Sequence, residues 1–391
     1  MKRAVVLGTA RSGQAAAALL ERHGVEVVLA GRDLCNDGDL SLLDGADVLV
    51  KSPGVPRDNP LVDASRIPVW SEVELGYRLL PNPILGVTGT NGKTTTTEWI
   101  GAMFRAAGRD VAVAGNVGRA LSAVQAAADA WIACELSSFQ LEDIHDFHPR
   151  VAVLVNLEPD HLDRHGSLEA YRDAKLRIFE NQELDDTAVV PRRFGPVPGS
   201  AARVEFSVDD ALPAEPGLPG AHNRENAAAA TAAARAAGLA DDAIAKALRT
   251  FPGVPHRLEV VAELGGVRFV NDSKATNTAA ARRALASYDV PLHVILGGSG
   301  KGESFVELAR ELHGRAYLIG ETAGELAQAL DREGVPYVQS GDLETAVSAA
   351  AEAARPGEIV LLSPACASYD QFRDFEQRGE EFRRLVQNLS G

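Results

Sequence analysis

Residues 86–95 read Gly86-Val87-Thr88-Gly89-Thr90-Asn91-Gly92-Lys93-Thr94-Thr95. A short apolar segment, Ile84–Thr88, leads into the glycines, and a helical pattern follows them as far as about Phe104. Glycines in such a turn let backbone N–H groups converge on phosphate oxygens, and the positive end of the following helix adds to the attraction. Lys93 can then reach a β- or γ-phosphate, and the Thr94 hydroxyl can ligate Mg²⁺. The spacing is G-x-x-G-K-T rather than the standard G-x-x-x-x-G-K-[ST], but the stretch still predicts a nucleoside triphosphate site in an α/β fold.

The rest of the chain repeats this alternation of short apolar runs and helical patterns, which is typical of parallel sheets with crossover helices. We predict strands at Arg3–Gly8, Val25–Ala30, Asp47–Lys51, Ile84–Thr88, Val111–Ala114, Trp131–Glu135, Val151–Asn156, His293–Leu296, Ala316–Ile319 and Glu358–Leu362, and a hairpin of Leu258–Leu264 with Val267–Asn271. The Ala-rich stretch Asn223–Ala237 predicts a helix. The pattern indicates three α/β domains, at residues 1–81, 82–255 and 256–391.

Composition excludes several classes of protein. The 391 residues carry a net charge of −15 and no basic run, so we expect no binding to nucleic acid. The three cysteines are few and far apart, which argues against a disulfide framework. The N-terminus lacks the apolar core of a signal peptide, and no apolar run approaches the ~20 residues of a membrane span. We therefore expect a cytoplasmic protein without membrane contact.

A second glycine-containing turn, Gly8-Thr9-Ala10-Arg11-Ser12-Gly13, follows the first predicted strand. A dinucleotide fingerprint requires a glycine in place of Ala10 and an acidic residue at the end of the second strand, where Arg32 stands instead. Nicotinamide binding is therefore disfavoured. A phosphate or pyrophosphate site, with Arg32 as a possible cation, and an ordinary structural turn stay open as equal alternatives.

Polar residues end two strands of the central domain. Glu135 ends Trp131–Glu135, and an unpaired buried carboxylate is costly, so it requires a partner or a metal ion. Mg²⁺ prefers carboxylate, carbonyl and water oxygens. Asp160 and His161 follow the strand Val151–Asn156, at the sheet edge where open α/β sheets bind ligands. We predict that both positions belong to the nucleotide site, although an ion pair would also explain Glu135.

Lys175 lies on a predicted helix, Ser167–Gln182, where it shares a face with the apolar Leu168, Tyr171 and Ile178. Two interpretations stay open. The stem of the lysine could lie along the apolar face with its ammonium group in water, or the amine could be buried and functional.

The third domain has two further glycine- or polar-rich turns after predicted strands. They are residues 271–277, Asn-Asp-Ser-Lys-Ala-Thr-Asn, and residues 296–302, Leu-Gly-Gly-Ser-Gly-Lys-Gly. Each combines a lysine with small residues and could hold a carboxylate or a phosphate.

Together these segments resemble the Mur ligase family over nearly the whole chain. They occur in the family's order: Gly89–Thr95, Gly115–Gly118, Glu135, Asp160-His161, Ala174–Arg177, His222–Asn226 and Pro255–Arg257. The most specific segment is residues 362–379, which is similar to the members that add D-glutamate. The resemblance implies three domains: an N-terminal Rossmann-like UDP-binding domain, a central P-loop ATPase domain and a C-terminal Rossmann-like domain.

The resemblance also implies an activity, in which a carboxylate is activated by ATP as an acyl phosphate and joined to an amino acid. The expected substrates are ATP, UDP-N-acetylmuramoyl-L-alanine and D-glutamate, with two Mg²⁺ ions, and the expected oligomeric state is a monomer. The implied ATP residues are Gly89, Thr90, Asn91, Gly92, Lys93, Thr94, Thr95, Asn223, Asn226, Arg257 and Asp272. The implied catalytic residues are Lys93, His161 and Lys175, and the implied metal ligands are Thr94, Glu135, His161 and Lys175, the last as an N-carboxylated lysine. Those for the UDP substrate are Gly8, Arg11, Ser12, Arg32, Gly54, Asn116 and His161, and those for D-glutamate are Lys274, Thr276, Lys301, Ser368 and Phe375.

Three other functions stay open on the sequence. A folylpolyglutamate-type ligase would share the phosphate loop, although residues 362–379 argue against it. A nucleotide-regulated binding protein is disfavoured because Glu135, His161 and Lys175 accompany the loop. A nicotinamide oxidoreductase is disfavoured by the first turn.

Overall fold

The computed structural model describes residues 1–218, 220–300 and 302–389. The chain divides into two compact units, Met1–Phe251 and Pro252–Gly391. The first unit holds two sheets and the second holds one. None of the helices in the described ranges combines the length and apolar character that a membrane span requires.

The first sheet of the first unit contains four strands in the order β2-β1-β3-β4, all parallel. Its elements are β1 (Arg3–Leu7), α1 (Arg11–Arg22), β2 (Glu26–Ala30), β3 (Val48–Lys51), α2 (Pro60–Asp63), β4 (Val69–Ser71) and α3 (Glu72–Leu79). The strands are Val-, Leu- and Ala-rich because helices or loops cover both faces, which is the usual situation of a parallel sheet.

The second sheet of the first unit contains six parallel strands in the order β10-β9-β8-β5-β7-β6. Its elements are β5 (Ile84–Thr88), α4 (Lys93–Ala106), β6 (Val111–Gly115), β7 (Trp131–Glu135), α5 (Ser138–Leu141), β8 (Val151–Leu154), α6 (Leu162–His165), α7 (Leu168–Leu176), β9 (Thr187–Pro191), β10 (Ala202–Phe206), α8 (Ala221–Ala236) and α9 (Asp241–Thr250). Strand β5 lies between β7 and β8, so the carboxyl ends of these three strands converge beside residues 89–93.

The second unit has a six-stranded sheet in the order β11-β12-β16-β13-β14-β15. Its elements are β11 (Glu259–Leu264), β12 (Val267–Asn271), α10 (Thr278–Leu285), β13 (Leu292–Gly297), α11 (Val306–Glu311), β14 (Gly314–Ile319), α12 (Ala323–Glu333), β15 (Tyr337–Gly341), α13 (Leu343–Ala353), β16 (Ile359–Leu362) and α14 (Phe375–Asn388). Only the β11–β12 pair is antiparallel among these strands, and it forms the predicted hairpin at Gly265-Gly266, where both glycines have positive φ.

The α/β fold class is confirmed, and each predicted domain range contains one sheet; the domain boundaries themselves stay predictions. The helix predicted at Ser167–Gln182 is wrong in length: α7 ends at Leu176, and a single 3₁₀ turn, Arg177–Phe179, follows. Four strands have no predicted range of their own: β4, β9, β10 and β15. Strand β4 is only three residues long, and β10 and β15 are edge strands that are mostly solvent-accessible, so these three lack a continuous apolar run. Strand β9 is buried, but its apolar run is only Ala188–Val190.

Candidate active site

The phosphate loop joins β5 to α4 and depends on two glycines with positive φ. Gly89 has φ +154° and Gly92 has φ +77°. A Cβ atom on Gly92 would lie 2.1 Å from Oδ1 of Asn226, so helix α8 packs directly against the loop and leaves no room for a side chain. The N–H of Asn91 donates to Oδ1 of Asn156 at 2.8 Å, which ties the loop to the end of β8. The loop is therefore held from both sides.

Two lysines meet at this loop. Nζ of Lys93 donates to the carbonyl oxygens of Gly89 and Thr90, and Nζ of Lys175 donates to the same Gly89 oxygen. Lys175 is 2 % exposed, and its ammonium group lies 4.6 Å from the Tyr171 ring centroid. The interpretation in which the ammonium group of Lys175 reaches water is therefore wrong. The amine is buried, and its functional role stays a prediction.

Burial and the charge of Lys93 lower the pKa of Lys175 to about 6. Asp160 and Glu135 partly oppose this effect, which shows that both carboxylates lie close enough to influence the amine. Lys175 therefore carries a largely neutral amine near pH 7, and a neutral amine can act as a nucleophile.

Glu135 ends β7 and is 3 % exposed. Oε1 of Glu135 accepts a hydrogen bond from the Asn116 amide at 3.2 Å, and the backbone N–H of Asn116 donates to the Glu135 carbonyl oxygen at 2.9 Å. The two predicted site residues are thus in contact, and the partner of the carboxylate is a neutral amide rather than the cation of an ion pair.

His161 lies directly before α6 with φ +51°, and its side chain is about half exposed. Its ring contacts that of Phe139 in a tilted arrangement, with centroids 4.9 Å apart, and its backbone N–H donates to the Asp160 carboxylate at 2.9 Å. Tyr171, which precedes Lys175 by one helical turn, has its ring centroid 6.4 Å from that of His161. Tyr171 also donates to Oγ1 of Thr90 at 3.1 Å, so it links the histidine to the phosphate loop.

The first sheet carries a cavity of about 420 Å³ at the carboxyl ends of β1, β2 and β3. We call it the first-sheet cavity. All five residues predicted for UDP in this part of the chain line it: Gly8, Arg11, Ser12, Arg32 and Gly54. Gly8 has φ +105°, and a Cβ there would lie 2.6 Å from Oγ of Ser52, so the turn requires glycine.

The sequence interpretation missed the acidic side of this cavity. Asp33 lies three residues beyond the end of β2, lines the cavity and accepts a hydrogen bond from Oγ1 of Thr9 at 2.7 Å. Asp37 lines it as well. The expectation that no acid follows the second strand is therefore corrected: the chain makes a 3₁₀ turn after Gly31, which brings Asp33 back to the strand end.

The predicted nucleotide residues fall on both units. Asn223 and Asn226 are buried on α8 of the first unit. Arg257 and Asp272 lie in the second unit, where Asp272 accepts hydrogen bonds from Ser363 and from the Leu258 N–H. Burial raises the pKa of Asp272 to about 7, although Ser363 and the charge of Arg257 lower it in part.

The described residues predicted for D-glutamate follow strands β12 and β16 of the second unit, except Phe375, which begins α14. Lys274 follows β12, and its ammonium group lies 5.9 Å from the Phe375 ring centroid. Thr276 donates its backbone N–H to the Lys274 carbonyl at 2.9 Å. Ser368 is buried after β16, and its carbonyl accepts from Phe372 N–H at 2.8 Å. Lys301 lies outside the described residues.

Arg378 is a further residue that the sequence interpretation did not select. It is 1 % exposed on α14, and its guanidinium donates to Ser273 Oγ and to the backbone oxygens of Ser273, Cys366 and Ala367. Burial lowers its pKa to about 10, so it stays charged. It therefore ties the turn after β12 to the turn after β16.

The fold and these turns define an ATP-dependent ligase of the Mur type, and the chain belongs to the Mur ligase family. Residues 87–194 match the Mur ligase middle domain, and residues 256–366 match the Mur ligase glutamate ligase domain. Among curated proteins, the chain is 42 % identical to the UDP-N-acetylmuramoylalanine--D-glutamate ligase of Pelotomaculum thermopropionicum, with 99 % of this chain and 98 % of that protein covered. That alignment spans 445 positions, so the relative carries segments that this 391-residue chain lacks.

Solved structures with a similar fold have lower sequence identity. The UDP-N-acetylmuramate-alanine ligase MurC of Thermotoga maritima is 18 % identical, with a TM-score of 0.64 and full coverage of both chains. The bifunctional folylpolyglutamate synthase/dihydrofolate synthase of Yersinia pestis, complexed with AMPPNP and Mn, is 21 % identical with a TM-score of 0.58; 82 % of this chain and 92 % of that one are covered. These two likenesses establish the fold.

Proposed function

We propose that this ligase joins D-glutamate to UDP-N-acetylmuramoyl-L-alanine and converts ATP to ADP and phosphate, in the synthesis of peptidoglycan precursors. The observation that carries the proposal is the similarity to the Pelotomaculum thermopropionicum ligase of that name, which is 42 % identical over an alignment that covers 99 % of this chain. The phosphate loop, the first-sheet cavity and the turns after β12 and β16 supply sites for the three substrates. The proposal places the reaction in the cytoplasm, where ATP is available, and assigns it to a monomer.

In the first step, a carboxylate oxygen of the UDP substrate attacks the γ-phosphorus of ATP, ADP leaves, and an acyl phosphate forms. This brings two anions together, so positive charge is needed at the loop. Lys93 at the N-terminus of α4 and the backbone N–H groups of residues 89–94 would hold the phosphates. Asn223 and Asn226 would contact the nucleotide from α8.

A divalent metal ion is expected beside the phosphates, as in the AMPPNP and Mn complex of the structural neighbour. Within the described residues, no three His, Cys, Asp or Glu side chains form a metal-binding group. The Thr94 hydroxyl offers an oxygen donor that suits the first Mg²⁺. Bound there, Mg²⁺ would neutralise the negative charge that builds up on the phosphate oxygens.

Lys175 suits a Mg²⁺ site after modification, because Mg²⁺ prefers oxygen donors, whereas the unmodified amine offers one nitrogen when neutral and no lone pair when protonated. Its neutral amine would add to CO₂, forming an N–C bond and releasing one proton, and the product carbamate presents two oxygens. We propose that Lys175 is N-carboxylated and serves, with Glu135 and His161, at a second Mg²⁺. The pKa of about 6 and the nearly complete burial of Lys175 support this proposal.

In the second step, the amine of D-glutamate attacks the acyl carbon, phosphate leaves, and the nitrogen loses a proton as the amide forms. Lys274, Lys301, Thr276, Ser368 and Phe375 of the second unit would bind D-glutamate. The ammonium group of Lys274 would offset a substrate carboxylate, and the amine must be neutral to attack. Arg257 and Asp272 of the same unit would contact the nucleotide.

The test is phosphate release from ATP and Mg²⁺ with UDP-N-acetylmuramoyl-L-alanine, comparing D-glutamate with L-glutamate, L-lysine and diaminopimelate. We expect release with D-glutamate alone. Release only with another amino acid would retain the family and overturn the amino-acid assignment. Release with a folate and L-glutamate, and none with the UDP substrate, would favour the folylpolyglutamate-type activity. Light scattering during size-exclusion chromatography tests the monomer, and ¹³C NMR with labelled bicarbonate tests the carbamate of Lys175.

A further inference from the structure

Arg164 contacts both the first-sheet cavity and the helices that flank the second sheet. None of the roles assigned above connects these two parts of the first unit. Its guanidinium donates to the carbonyl oxygens of Pro53 at 3.0 Å and Val55 at 3.4 Å. Both residues line the first-sheet cavity, on the turn that follows β3. A side chain of α6, which follows a strand of the second sheet, therefore supports one wall of the first-sheet cavity.

The same guanidinium is anchored on the side of the second sheet. It pairs with the buried carboxylate of Glu142 at 3.3 Å and lies 4.1 Å from the ring centroid of Phe139. Arg57, on the turn beyond the cavity, pairs with Glu142 as well, at 3.1 Å, but its side chain is 63 % exposed. Arg164, at 19 % exposed, is the more enclosed of the two cations.

Arg164 is also connected to the candidate metal ligand His161. The backbone N–H groups of Arg164 and His165 donate to the His161 carbonyl at 3.1 and 3.0 Å. The Phe139 ring, over which the Arg164 guanidinium lies, is also the ring that contacts His161. His161 and Arg164 thus share one backbone turn and one aromatic neighbour, and we call residues 158–166 the His161 segment.

His165 holds this turn from the other side. Its Nε2 lies 3.0 Å from Ser138 Oγ, and its Nδ1 lies 3.3 Å from Oε1 of Glu142. The side chain is only 2 % exposed. Glu142 therefore contacts both Arg164 and His165. A change at either side chain would alter how the turn that carries His161 is held.

We propose that Arg164 is a positioning residue that transmits occupancy of the first-sheet cavity to the His161 segment. A ligand against Pro53 and Val55 holds the two carbonyl oxygens in place, which holds the guanidinium between them and Glu142. The turn that bears His161 is then held in one arrangement beside the phosphate loop. The catalytic part of this inference rests on the proposed ligase function; the mechanical part requires only a ligand in the cavity.

The planar guanidinium is what this role requires. It donates in three directions within one plane and stacks on an aromatic ring, whereas a lysine ammonium is a compact charge without a flat face. Arg164→Lys should therefore retain the charge near Glu142 and lose the connection between the carbonyl oxygens and Phe139. Arg57→Ala is the matched control, because it removes a Glu142 partner with no contact to Pro53, Val55 or Phe139 among those observed.

The experiment uses the full chain as wild type, Arg164→Ala, Arg164→Lys and Arg57→Ala. Backbone hydrogen exchange of residues 158–166 is measured with and without UDP-N-acetylmuramoyl-L-alanine, and separately with UDP, in the absence of ATP. Steady-state phosphate release gives kcat and KM for the UDP substrate. We expect ligand to protect the His161 segment in wild type and Arg57→Ala, and to leave it unprotected in both Arg164 variants.

In turnover, Arg164→Ala should lower kcat about 10-fold and also raise KM for the UDP substrate, the size that follows from losing a charge-assisted hydrogen bond. Arg57→Ala should change either constant by less than about 3-fold, as for an exposed pair. Ligand-induced protection that persists in Arg164→Ala overturns the inference, as does a change in KM alone or absence of protection in wild type. A wild-type chain without turnover refutes the proposed function, while the exchange measurement still decides the coupling.

Discussion

Lys93 and Lys175 donate hydrogen bonds to one carbonyl oxygen, that of Gly89, at 3.0 and 2.7 Å. Two ammonium groups at a shared acceptor repel each other, and Lys175 is the more deeply buried of the two. Burial and the charge of Lys93 therefore lower the pKa of Lys175 to about 6, and Lys175 becomes a neutral amine near pH 7. One backbone oxygen thus brings together the lysine proposed to bind phosphates and the amine proposed to react.

Substitution of Lys175 should separate stability from activity. Lys175→Met retains an unbranched apolar stem and removes a buried amine, so the free energy of unfolding should be unchanged or higher. The kcat of phosphate release should fall by about 100-fold or more, in the range for loss of a group that stabilises developing charge. Thermal unfolding and steady-state kinetics measure the two effects. A variant with near wild-type kcat would contradict the assignment.

Lys51 provides the matched control for this substitution. It is a second buried lysine, at 1 % exposed, but its Nζ pairs with Asp143 at 2.8 Å. Lys51→Met leaves that carboxylate without its cation and should destabilise the protein by about 3–5 kcal/mol. Equal thermal stability of the two Met variants would show that the difference in pairing has no energetic consequence.

Gly92→Ala should weaken ATP binding at the phosphate loop. The new Cβ would meet Asn226 Oδ1 at 2.1 Å, and φ is +77°. We expect KM for ATP to rise at least ~10-fold and stability to fall by about 1–3 kcal/mol. Gly108→Ala is the control, since its φ is +68° and no atom lies within 4 Å of the added Cβ. It should lose about 1–2 kcal/mol of stability from backbone strain alone and retain its KM for ATP.

Asp272→Asn should change how stability depends on pH. The folded pKa of about 7 lies above the ordinary 3.8, so between about pH 4 and 7 the folded state holds more protons than the unfolded state. The contribution of the protonated Asp272 to the free energy of unfolding is fully present below about pH 4, and it is lost as pH rises through about 7. Since one pKa unit corresponds to about 1.4 kcal/mol, Asp272→Asn should be more stable than wild type at pH 8 by a few kcal/mol, and by less at pH 5.

Denaturant unfolding at pH 5 and pH 8 measures this effect. Asp241→Asn is the control, because the hydrogen bond from Arg235 lowers the pKa of Asp241 from its ordinary value, in the direction opposite to the shift of Asp272. The difference between that variant and wild type should be constant from pH 5 to 8. A stability difference for Asp272→Asn that does not grow with pH would contradict the raised pKa.

Glu135→Gln should weaken metal activation and leave the fold intact. The amide oxygen can still accept from Asn116, so little stability is lost. A neutral amide is a poorer Mg²⁺ ligand than a carboxylate, and the Mg²⁺ concentration for half-maximal phosphate release should rise about 10-fold or more. Kinetics over a range of Mg²⁺ concentrations test this. An unchanged requirement would show that Glu135 pairs only with Asn116.

Much of the site could be predicted because its residues are local in sequence. The phosphate loop is one contiguous strand–turn–helix segment, and its glycines and Lys93 follow one another. Gly8, Arg11 and Ser12 are similarly local, and they do line one cavity. Asp33 was missed because the turn after β2 doubles back, and short turns of this kind leave no periodic pattern. Arg378 was missed because a buried arginine on an otherwise amphipathic helix has no distinctive sequence neighbours.

The sequence by itself determined the class of fold and the family, because apolar periodicity and contiguous motifs are local properties of the chain. The tertiary structure decided what depends on distant residues meeting. Lys175 could be read as solvated or buried until α7 packed it against Gly89, 86 residues away. Arg164 acquires its contacts only because the first sheet places Pro53 and Val55 beside it. Burial sets the charge of the Lys175 amine, and its partners set the role of the Arg164 guanidinium. Both depend on residues that are distant in the sequence, so neither can be predicted from the neighbouring residues alone.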